Sequence, residues 1–241
     1  MNSTASPASP VRAVLFDAYG TLFDVYSVGV LAEQFFPGQG QALGVLWRDK
    51  QIEYTRLVTQ SAAQDSPADA APPFYRPFWE LTRAALRYCA KRLQLDLTPS
   101  RENALMNQYL QLTAFPENKE VLQGLRARGI QTGILSNGNP EMLHAVIESA
   151  GLTGLLDHVL SIDPIRRFKT HPEAYRLGLV ATGLPAAEIG FVSCNAWDAL
   201  AATWFGYQTL WVNRWGLPFE ELGTQPSHSG TNLLDALTAF A

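Results

Sequence analysis

Four short polar segments each follow an apolar stretch of the chain. They are Asp17-Ala-Tyr-Gly-Thr21, Ser136-Asn-Gly-Asn139, Lys169 alone, and Ser193-Cys-Asn-Ala-Trp-Asp198. Together they offer carboxylates, an ammonium group, amides and hydroxyls. Side chains of these kinds act in proteins as nucleophiles, general bases and anion-binding donors.

Each polar segment also has an ordinary structural explanation when it is taken alone. Asp17 suits a turn or a helix cap, and the Ser136-Asn-Gly stretch resembles a common turn. Lys169 suits a solvated surface, and Asp198 suits the first turn of a helix, where an acid complements the helix dipole. What favours a functional site is that all four segments follow strands of one predicted sheet.

Strands and helices alternate along most of the chain. The apolar runs predict strands at 11–16, 130–135, 159–162, 189–192 and 209–212. Helical spacing and end signals predict helices at 117–128, 139–150, 172–180 and 196–205. This alternation favours an α/β fold with a doubly wound parallel sheet, in which ligands bind beyond the carboxyl ends of the strands.

Residues 25–101 have a different pattern, which we call the helical insertion. Apolar residues recur at helical spacing in 41–60 and 74–93, and a loop of small residues and prolines, 61–73, separates the two. The α/β core then comprises 11–24 and 102–241. Residues 1–10, rich in Ser and Pro and without an apolar signal core, are interpreted as a disordered lead-in.

Composition narrows the function classes. The chain has 241 residues, 47% hydrophobic, with a formal net charge of −4 and no basic block, so nucleic acid is not an expected partner. No apolar run reaches the roughly 18–20 residues that span a bilayer, so no membrane association is expected. Cys89 and Cys194 make no disulfide framework, which favours a reducing cytoplasm. The four histidines lack metal-ligand spacing.

The segments FDAYGTLFDV, LWRDKQIEY, LSNGNP, FKTHPEAY, FVSCNAWDA and YQTLWVNRWGLPFE resemble a known family. They are similar to the haloacid dehalogenase superfamily, and specifically to its L-2-haloacid dehalogenase branch. The Trp-Arg-x-Lys-Gln setting of Arg48, combined with the Ser193 to Asp198 segment, is more specific than the superfamily signature. The resemblance implies a Rossmann-like core with an inserted helical cap domain, here the helical insertion.

The resemblance implies a hydrolase that converts short 2-haloacids to 2-hydroxy acids and halide ions. Asp17 would attack the carbon that bears the halogen and form an ester, and the ammonium of Lys169 would keep its carboxylate ionised. Asp198, oriented by Lys169 and Asn195, would activate the water that opens this ester. Thr21 and Ser193 would position the two carboxylates.

The remaining expected roles concern the substrate. By resemblance, Arg48 and Asn137 would receive the halide, and Ser136 with backbone N–H groups would bind the substrate carboxylate. Tyr175 matches a family tyrosine by its motif, and core packing is the alternative for it. Four further residues are predicted either to line the pocket around the substrate alkyl group or to belong to the core: Tyr19, Ile52, Phe78 and Trp197.

Two positions distinguish this chain from phosphatases of the superfamily. Those enzymes carry a second Asp two residues after the nucleophile, and Tyr19 occupies that position here. They also usually hold Mg²⁺ with a pair of acidic residues, and Ser193 occupies the position of the first of these. An ammonium at Lys169 would compete with a cation for the Asp17 and Asp198 carboxylates. We therefore expect a metal-free site that needs no cofactor.

Other functions remain as alternatives. A superfamily phosphatase or phosphonate hydrolase is one, although no lysine in the helical insertion has a motif for Schiff-base chemistry. A catalytically silent binding module on the same fold is another, but such a module would be expected to lose charged site residues, and none is lost. Cys194 is interpreted as a packing residue.

The sequence differs from the family at a few positions, and these are expected to affect which substrate is accepted. Asp49 stands beside Arg48 where relatives commonly have Gln, and Thr170-His171 replaces the usual Pro-Asp after the lysine. The loop 61–73 is also longer than usual. The expected partners are a small 2-haloacid and a halide ion, and the family implies a homodimer.

Overall fold

The computed structural model describes residues 9–61 and 70–241. Most of the predicted lead-in, residues 1–8, and most of the predicted long loop, residues 62–69, lie outside the described part of the chain. The strands within it are β1 (Ala13–Phe16), β2 (Phe23–Asp24), β3 (Thr113–Ala114), β4 (Gln131–Ser136), β5 (His158–Ser161), β6 (Ile189–Ser193), β7 (Gln208–Val212) and β8 (His228–Gly230).

A six-stranded sheet forms the centre of the molecule, with the strand order β5-β4-β1-β6-β7-β8. Every pairing in it is parallel. Along β1, Val14 and Phe16 pack into one core cluster while Ala13 and Leu15 pack into the other. Because successive side chains of a strand point to opposite faces, this alternation shows a sheet that is buried on both sides. The predicted doubly wound parallel sheet is confirmed.

The helices of the described residues are α1 (Val28–Phe35), α2 (Gly40–Thr59), α3 (Phe78–Arg92), α4 (Pro99–Gln108), α5 (Asn118–Ala127), α6 (Pro140–Ser149), α7 (Pro172–Thr182), α8 (Ala196–Phe205) and α9 (Ala236–Ala239). Helices α6 and α7 each begin with a proline, whose fixed φ suits the first helical position. Among these helices, none is both long enough and apolar enough to cross a bilayer.

Several elements differ from the sequence prediction. The helix predicted for 74–93 begins only at Phe78, because Pro77 precedes it in an extended conformation. Helices α1 and α4, the short strands β2 and β3, and the edge strand β8 had not been predicted.

Helix α4 crosses the predicted end of the helical insertion at residue 101. It packs against α1 and α3, and two arginines of α3, Arg83 and Arg87, form ion pairs with Glu102 of α4. Strands β2 and β3 pair antiparallel where the chain leaves and re-enters the core. We therefore propose that the helical insertion extends to about residue 112.

Candidate active site

The carboxyl edge of the sheet collects polar residues from three neighbouring strands. Asp17 directly follows β1, Ser136 is the last residue of β4, and Ser193 is the last residue of β6. Because β4 and β6 flank β1 on its two sides, their ends converge on Asp17. Lys169, from the segment between β5 and α7, reaches the same place.

Asp17 is held from its backbone and from both carboxylate oxygens. Its N–H donates to Val192 O at 2.9 Å, which extends the pairing of β1 with β6 by one residue. Oδ1 accepts from Lys169 Nζ at 3.0 Å. Oδ2 accepts from Thr21 Oγ1 at 3.0 Å and from Asn195 Nδ2 at 2.8 Å. The carboxylate therefore has a defined orientation at the floor of the site.

A turn after β1 brings Thr21 back to Asp17. Gly20 in this turn has φ of +99°, in the left-handed region that favours glycine, and its N–H bonds to Phe23 O. A Cβ on Gly20 would lie 3.4 Å from Asn195 Nδ2 and 3.8 Å from an Arg48 Nη atom. The glycine thus gives the turn its shape and leaves room for two site residues.

Asp198, in the first turn of α8, lies on the other side of Lys169. Its Oδ2 accepts from Lys169 Nζ at 2.9 Å and from Ser193 Oγ at 3.1 Å, and its Oδ1 accepts from Tyr175 Oη at 2.7 Å. One ammonium group therefore joins the two carboxylates. Asp17 is 5% exposed, Lys169 1% and Asp198 0%, so water screens this network little.

Burial and the neighbouring charges shift the pKa values of this network. Burial raises the pKa of Asp198, although Lys169 and Tyr175 oppose the shift. Burial alone would lower the pKa of Lys169, but the two carboxylates outweigh it and hold that pKa above the usual value. Burial, with Asp198 beside it, raises the pKa of Tyr175 well above the usual value. At neutral pH, Lys169 is an ammonium and Tyr175 is a hydroxyl donor.

Arg48 of α2 reaches the site from the helical insertion. Its Nη2 donates to Tyr19 O at 2.7 Å and to Asn195 Oδ1 at 3.4 Å, and its Nη1 donates to Gln51 Oε1 at 2.7 Å. Asn195 contacts Asp17 through its Nδ2 and Arg48 through its Oδ1. Its amide is therefore the bridge between the carboxylate of the core and the guanidinium of the insertion.

Ser136 and Asn137 have structural contacts in addition to their expected roles. Ser136 Oγ accepts from the N–H of Gly138 at 3.1 Å, as in a turn, and its hydroxyl hydrogen can still be donated. Asn137 Oδ1 accepts from the backbone N–H of Lys169 at 2.9 Å. These contacts agree with a turn, and they leave the Ser136 hydroxyl hydrogen free for the role expected of it.

The four predicted lining residues divide into two groups. Ile52 and Trp197 line a cleft of ≈ 620 Å³ that also borders Arg48 and Asn195. Tyr19 and Phe78 are fully packed against one another, with ring centroids 5.7 Å apart, and lie outside that cleft. The hydroxyl of Tyr19 is buried and has no hydrogen-bond partner within the described residues.

Two residues that were expected to distinguish this chain from its relatives, Asp49 and His171, lie near the site. Asp49 is exposed and lines the cleft beside Arg48. His171 caps α7, with its Nδ1 accepting from the N–H of Glu173 at 3.2 Å.

The N–H of Cys194 donates to Thr21 Oγ1, and burial raises the pKa of the Cys194 thiol to about 11, so the thiol is protonated at neutral pH. Among the residues of 9–61 and 70–241, no three His, Cys, Asp or Glu side chains group as metal ligands.

Two residues near Arg48 and one near Lys169 had not been predicted. Gln51 contacts Arg48 directly, and Thr82 of α3 contacts Gln51. The ring of Phe191 lies 4.8 Å from Lys169 Nζ. Gln51 could have been found, because a residue three positions after Arg48 on a helix lies on the same face. Nothing in the sequence brings Thr82 to that face.

Comparison with protein families and curated sequences gives consistent matches. A model of the haloacid dehalogenase-like hydrolases matches residues 11–206. Haloacetate dehalogenase H-2 of Moraxella sp. (strain B) is 40% identical over 94% of this chain and 96% of its own length. The (S)-2-haloacid dehalogenase of Pseudomonas sp. (strain YL) is 40% identical over 95% of this chain and 94% of its own length.

Solved structures agree with these matches. The crystal structure of an L-2-haloacid dehalogenase with 52% identity superposes with a TM-score of 0.90 and covers 96% of this chain and 99% of that one. The L-2-haloacid dehalogenase of Xanthobacter autotrophicus, with chloropropionic acid covalently bound, has 33% identity and a TM-score of 0.84. That alignment covers 95% of this chain and 97% of the other.

Proposed function

The chain belongs to the haloacid dehalogenase-like hydrolases, and we propose that it hydrolyses (S)-2-haloalkanoic acids to 2-hydroxy acids and halide. The observation that carries the proposal is the pair of buried carboxylates, Asp17 and Asp198, joined by Lys169 and set beside Arg48. This arrangement supplies a nucleophile, a base and two cations for an anionic substrate. A relative of similar length, 40% identical over 95% of this chain, is named (S)-2-haloacid dehalogenase, which supports the proposal.

The first proposed step forms an ester on Asp17. A carboxylate oxygen of Asp17 makes a bond to C2 of the substrate, and the halide leaves with the electron pair of the carbon–halogen bond. Arg48 stabilises the developing negative charge on the halide, with Asn137 as a further donor. Ser136 donates its hydroxyl hydrogen to the substrate carboxylate. The covalent chloropropionate complex of the Xanthobacter relative supports an intermediate of this kind.

The second proposed step hydrolyses the ester. Water adds to the carboxyl carbon of Asp17 while Asp198 accepts its proton, and the 2-hydroxy acid leaves with an oxygen that came from Asp17. The raised pKa of Asp198 makes it a stronger base than an exposed aspartate. Lys169 holds the two carboxylates next to one another, and Thr21, Ser193, Tyr175 and Asn195 orient them.

The residues around the carboxylates do not favour a phosphatase. The position that would hold the second Asp is occupied by Tyr19, whose hydroxyl is buried and whose pKa burial raises. Lys169 already takes one oxygen of each carboxylate, and the other oxygen accepts from Thr21 in Asp17 and from Tyr175 in Asp198. Because these oxygens already accept hydrogen bonds, they are not free to serve as the oxygen ligands that a divalent cation needs.

One assay tests the proposed function. Purified protein is incubated separately with L- and D-2-chloropropionate, fluoroacetate and p-nitrophenyl phosphate, and free halide and phosphate are measured. We expect chloride release from L-2-chloropropionate well above that from the D enantiomer, and no phosphate. Phosphate release without halide release would reject the proposal in favour of the phosphatase alternative.

A homodimer in the cytoplasm is also part of the proposal. Val30 of α1 and Val45 of α2 are exposed at 70% and 44%, so the insertion offers apolar surface to a second copy. Sedimentation equilibrium of the purified protein measures the mass directly. A monomer at micromolar concentration would contradict this part.

A further inference from the structure

We propose that Gln51 and Thr82 are positioning residues for Arg48 and so for the halide-releasing step. Neither has a role in the chemistry described above. Both lie in the helical insertion, Gln51 on α2 and Thr82 on α3, and both are completely buried. The inference rests on the proposed function, because it assigns the two residues to the step in which Arg48 receives the halide.

A short chain of hydrogen bonds connects Arg48 to the backbone of α3. Arg48 Nη1 donates to Gln51 Oε1 at 2.7 Å, Gln51 Nε2 donates to Thr82 Oγ1 at 2.7 Å, and Thr82 Oγ1 donates to Phe78 O at 2.7 Å. The last bond uses the only hydrogen of the Thr82 hydroxyl, so that its oxygen must accept from Gln51. The Gln51 amide therefore has one favourable orientation, with its oxygen toward Arg48.

The same two helices are also joined beside this chain. Trp47 Nε1, the neighbour of Arg48 in sequence, donates to Thr82 O at 2.7 Å. The position of Thr82 is thus fixed independently of Gln51, so Thr82 can hold the Gln51 amide in place.

Gln51 holds the guanidinium from the side opposite to the core. The core contacts on Arg48 are Tyr19 O at 2.7 Å and Asn195 Oδ1 at 3.4 Å, both through Nη2. The Gln51 contact is made through Nη1 and so prevents the planar group from turning about its Nη2 contacts. Because an amide is neutral, Gln51 orients the guanidinium without cancelling the positive charge that a halide requires, which a carboxylate at this position would do.

The two chemical steps respond differently if this is correct. Single-turnover halide release with enzyme in excess measures ester formation, and mass spectrometry of the Asp17 peptide follows decay of the ester. In Gln51→Met, which keeps the side-chain length, we expect ester formation to slow about tenfold, the size of one lost hydrogen bond to a charged group. Ester hydrolysis, which does not involve Arg48, should stay within about twofold of the parent rate.

Further variants separate positioning from general stability. Thr82→Val removes the hydroxyl at nearly constant shape and should slow ester formation, whereas Thr82→Ser should restore it. Gln51→Glu should slow ester formation more for chloro than for bromo substrates, because chloride is the poorer leaving group. Thr55→Val is the matched control, since Thr55 is a buried threonine on α2 whose hydroxyl, within the described residues, bonds to Ile52 O alone.

Two results would overturn the inference. One is ester formation within about twofold of the parent in both Gln51→Met and Thr82→Val, each shown to be folded by thermal unfolding. The other is a crystal structure of Gln51→Met in which the Arg48 guanidinium keeps its place. The crystallographic result decides the positioning role even if the parent protein releases no halide, in which case the proposed function alone would fail.

Discussion

The core edge and the helical insertion hold their charged groups in different ways. At the core edge, Asp17 and Asp198 each accept three hydrogen bonds from side chains, and Lys169 is shared between them. From the insertion, Arg48 reaches the site, and of its three contacts one is a long 3.4 Å bond. It also borders the open cleft, which Asp17 and Asp198 do not.

This difference suggests separate contributions from the core edge and from the helical insertion. The carboxylates are oriented by several donors each, so their geometry does not depend on any one neighbour. In the proposed mechanism the bond-making steps are theirs. The guanidinium also has three contacts, but one of them is long, and it borders the open cleft. Changes of substrate preference are therefore expected in the insertion, at positions such as Asp49 and Ile52, and losses of the reaction itself are expected in the core.

The largest effect is expected at Asp17. Asp17→Asn removes the nucleophile while keeping the shape of the side chain, and we expect a fall in turnover of at least about 10³-fold, roughly 4 kcal/mol of barrier. Halide release under saturating substrate measures it. Near-normal turnover would remove Asp17 from the mechanism.

Isotope tracing then tests whether Asp17 attacks the substrate or only activates water. In one turnover in H₂¹⁸O with enzyme in excess, the ester route puts the label into the Asp17 carboxylate and an ordinary oxygen into the product. Direct attack by water would label the product instead and leave the Asp17 peptide unlabelled. We expect label in the peptide, and product labelled in the first turnover would reassign Asp17 as a general base.

The next largest effect is expected on the insertion side. Arg48→Lys keeps the positive charge but loses the planar fork that contacts Gln51, Tyr19 O and Asn195 together. Without this fork the side chain holds the departing halide poorly, and we expect the rate of ester formation to fall about 10²–10³-fold. Arg92→Lys, at an exposed arginine of α3, is the control and should change nothing. Equal rates in the two variants would make Arg48 an ordinary helix arginine.

The same contrast explains what could be predicted from sequence. Asp17, Ser136 and Ser193 were placed together because parallel strands end at one edge of a sheet, and strands are recognisable as apolar runs. The orientation of Arg48 depends on Thr82, which is 31 residues from Gln51 and on another helix. No local pattern encodes such a contact, so the part played by Thr82 could not be predicted, whereas Gln51, three positions after Arg48 on one helix, could be.

The missed elements have similar reasons. Strand β8, His228–Gly230, has no apolar alternation and is defined by its pairing with β7. Helix α4 carries local signals, since Thr98 caps it and Pro99 is its first residue, and it continues past residue 101, the predicted end of the insertion. Two of the four predicted lining residues lie in the cleft and two in the core. This division depends on how the insertion packs over the sheet, which local sequence patterns do not encode.

A smaller effect is expected when one donor to a carboxylate is removed. Asp198 acts as a base only when ionised, so ester hydrolysis slows as pH falls through its raised pKa. The hydrogen bond from Tyr175 lowers this pKa, and its loss in Tyr175→Phe must raise the pKa further. We therefore expect the acidic limb of the hydrolysis rate to move to higher pH, with a smaller change on the plateau.

A matched variant checks this shift. Tyr207→Phe also removes a buried hydroxyl, one that bonds to the backbone oxygen of Tyr175 and not to Asp198. Its acidic limb should coincide with that of the parent. A limb that moves to lower pH in Tyr175→Phe, or that moves equally in both variants, would contradict the role of Asp198 as the base.

The smallest effect, none at all, is expected when metal ions are removed. Every assigned contact on the Asp17 and Asp198 oxygens comes from an N–H or O–H donor, and Lys169 takes one oxygen of each. A divalent cation would have to displace that ammonium and compete with the remaining donors for the same carboxylate oxygens. Turnover should therefore survive prolonged dialysis against EDTA and gain nothing from added Mg²⁺.

Lys169→Ala sharpens the comparison, because it frees two adjacent carboxylates, and calorimetry should detect tighter Mg²⁺ binding in this variant than in the parent. A strict Mg²⁺ requirement in the parent would mean that the ammonium does not carry the electrostatic role, and the core edge would then work as it does in a metal-dependent hydrolase.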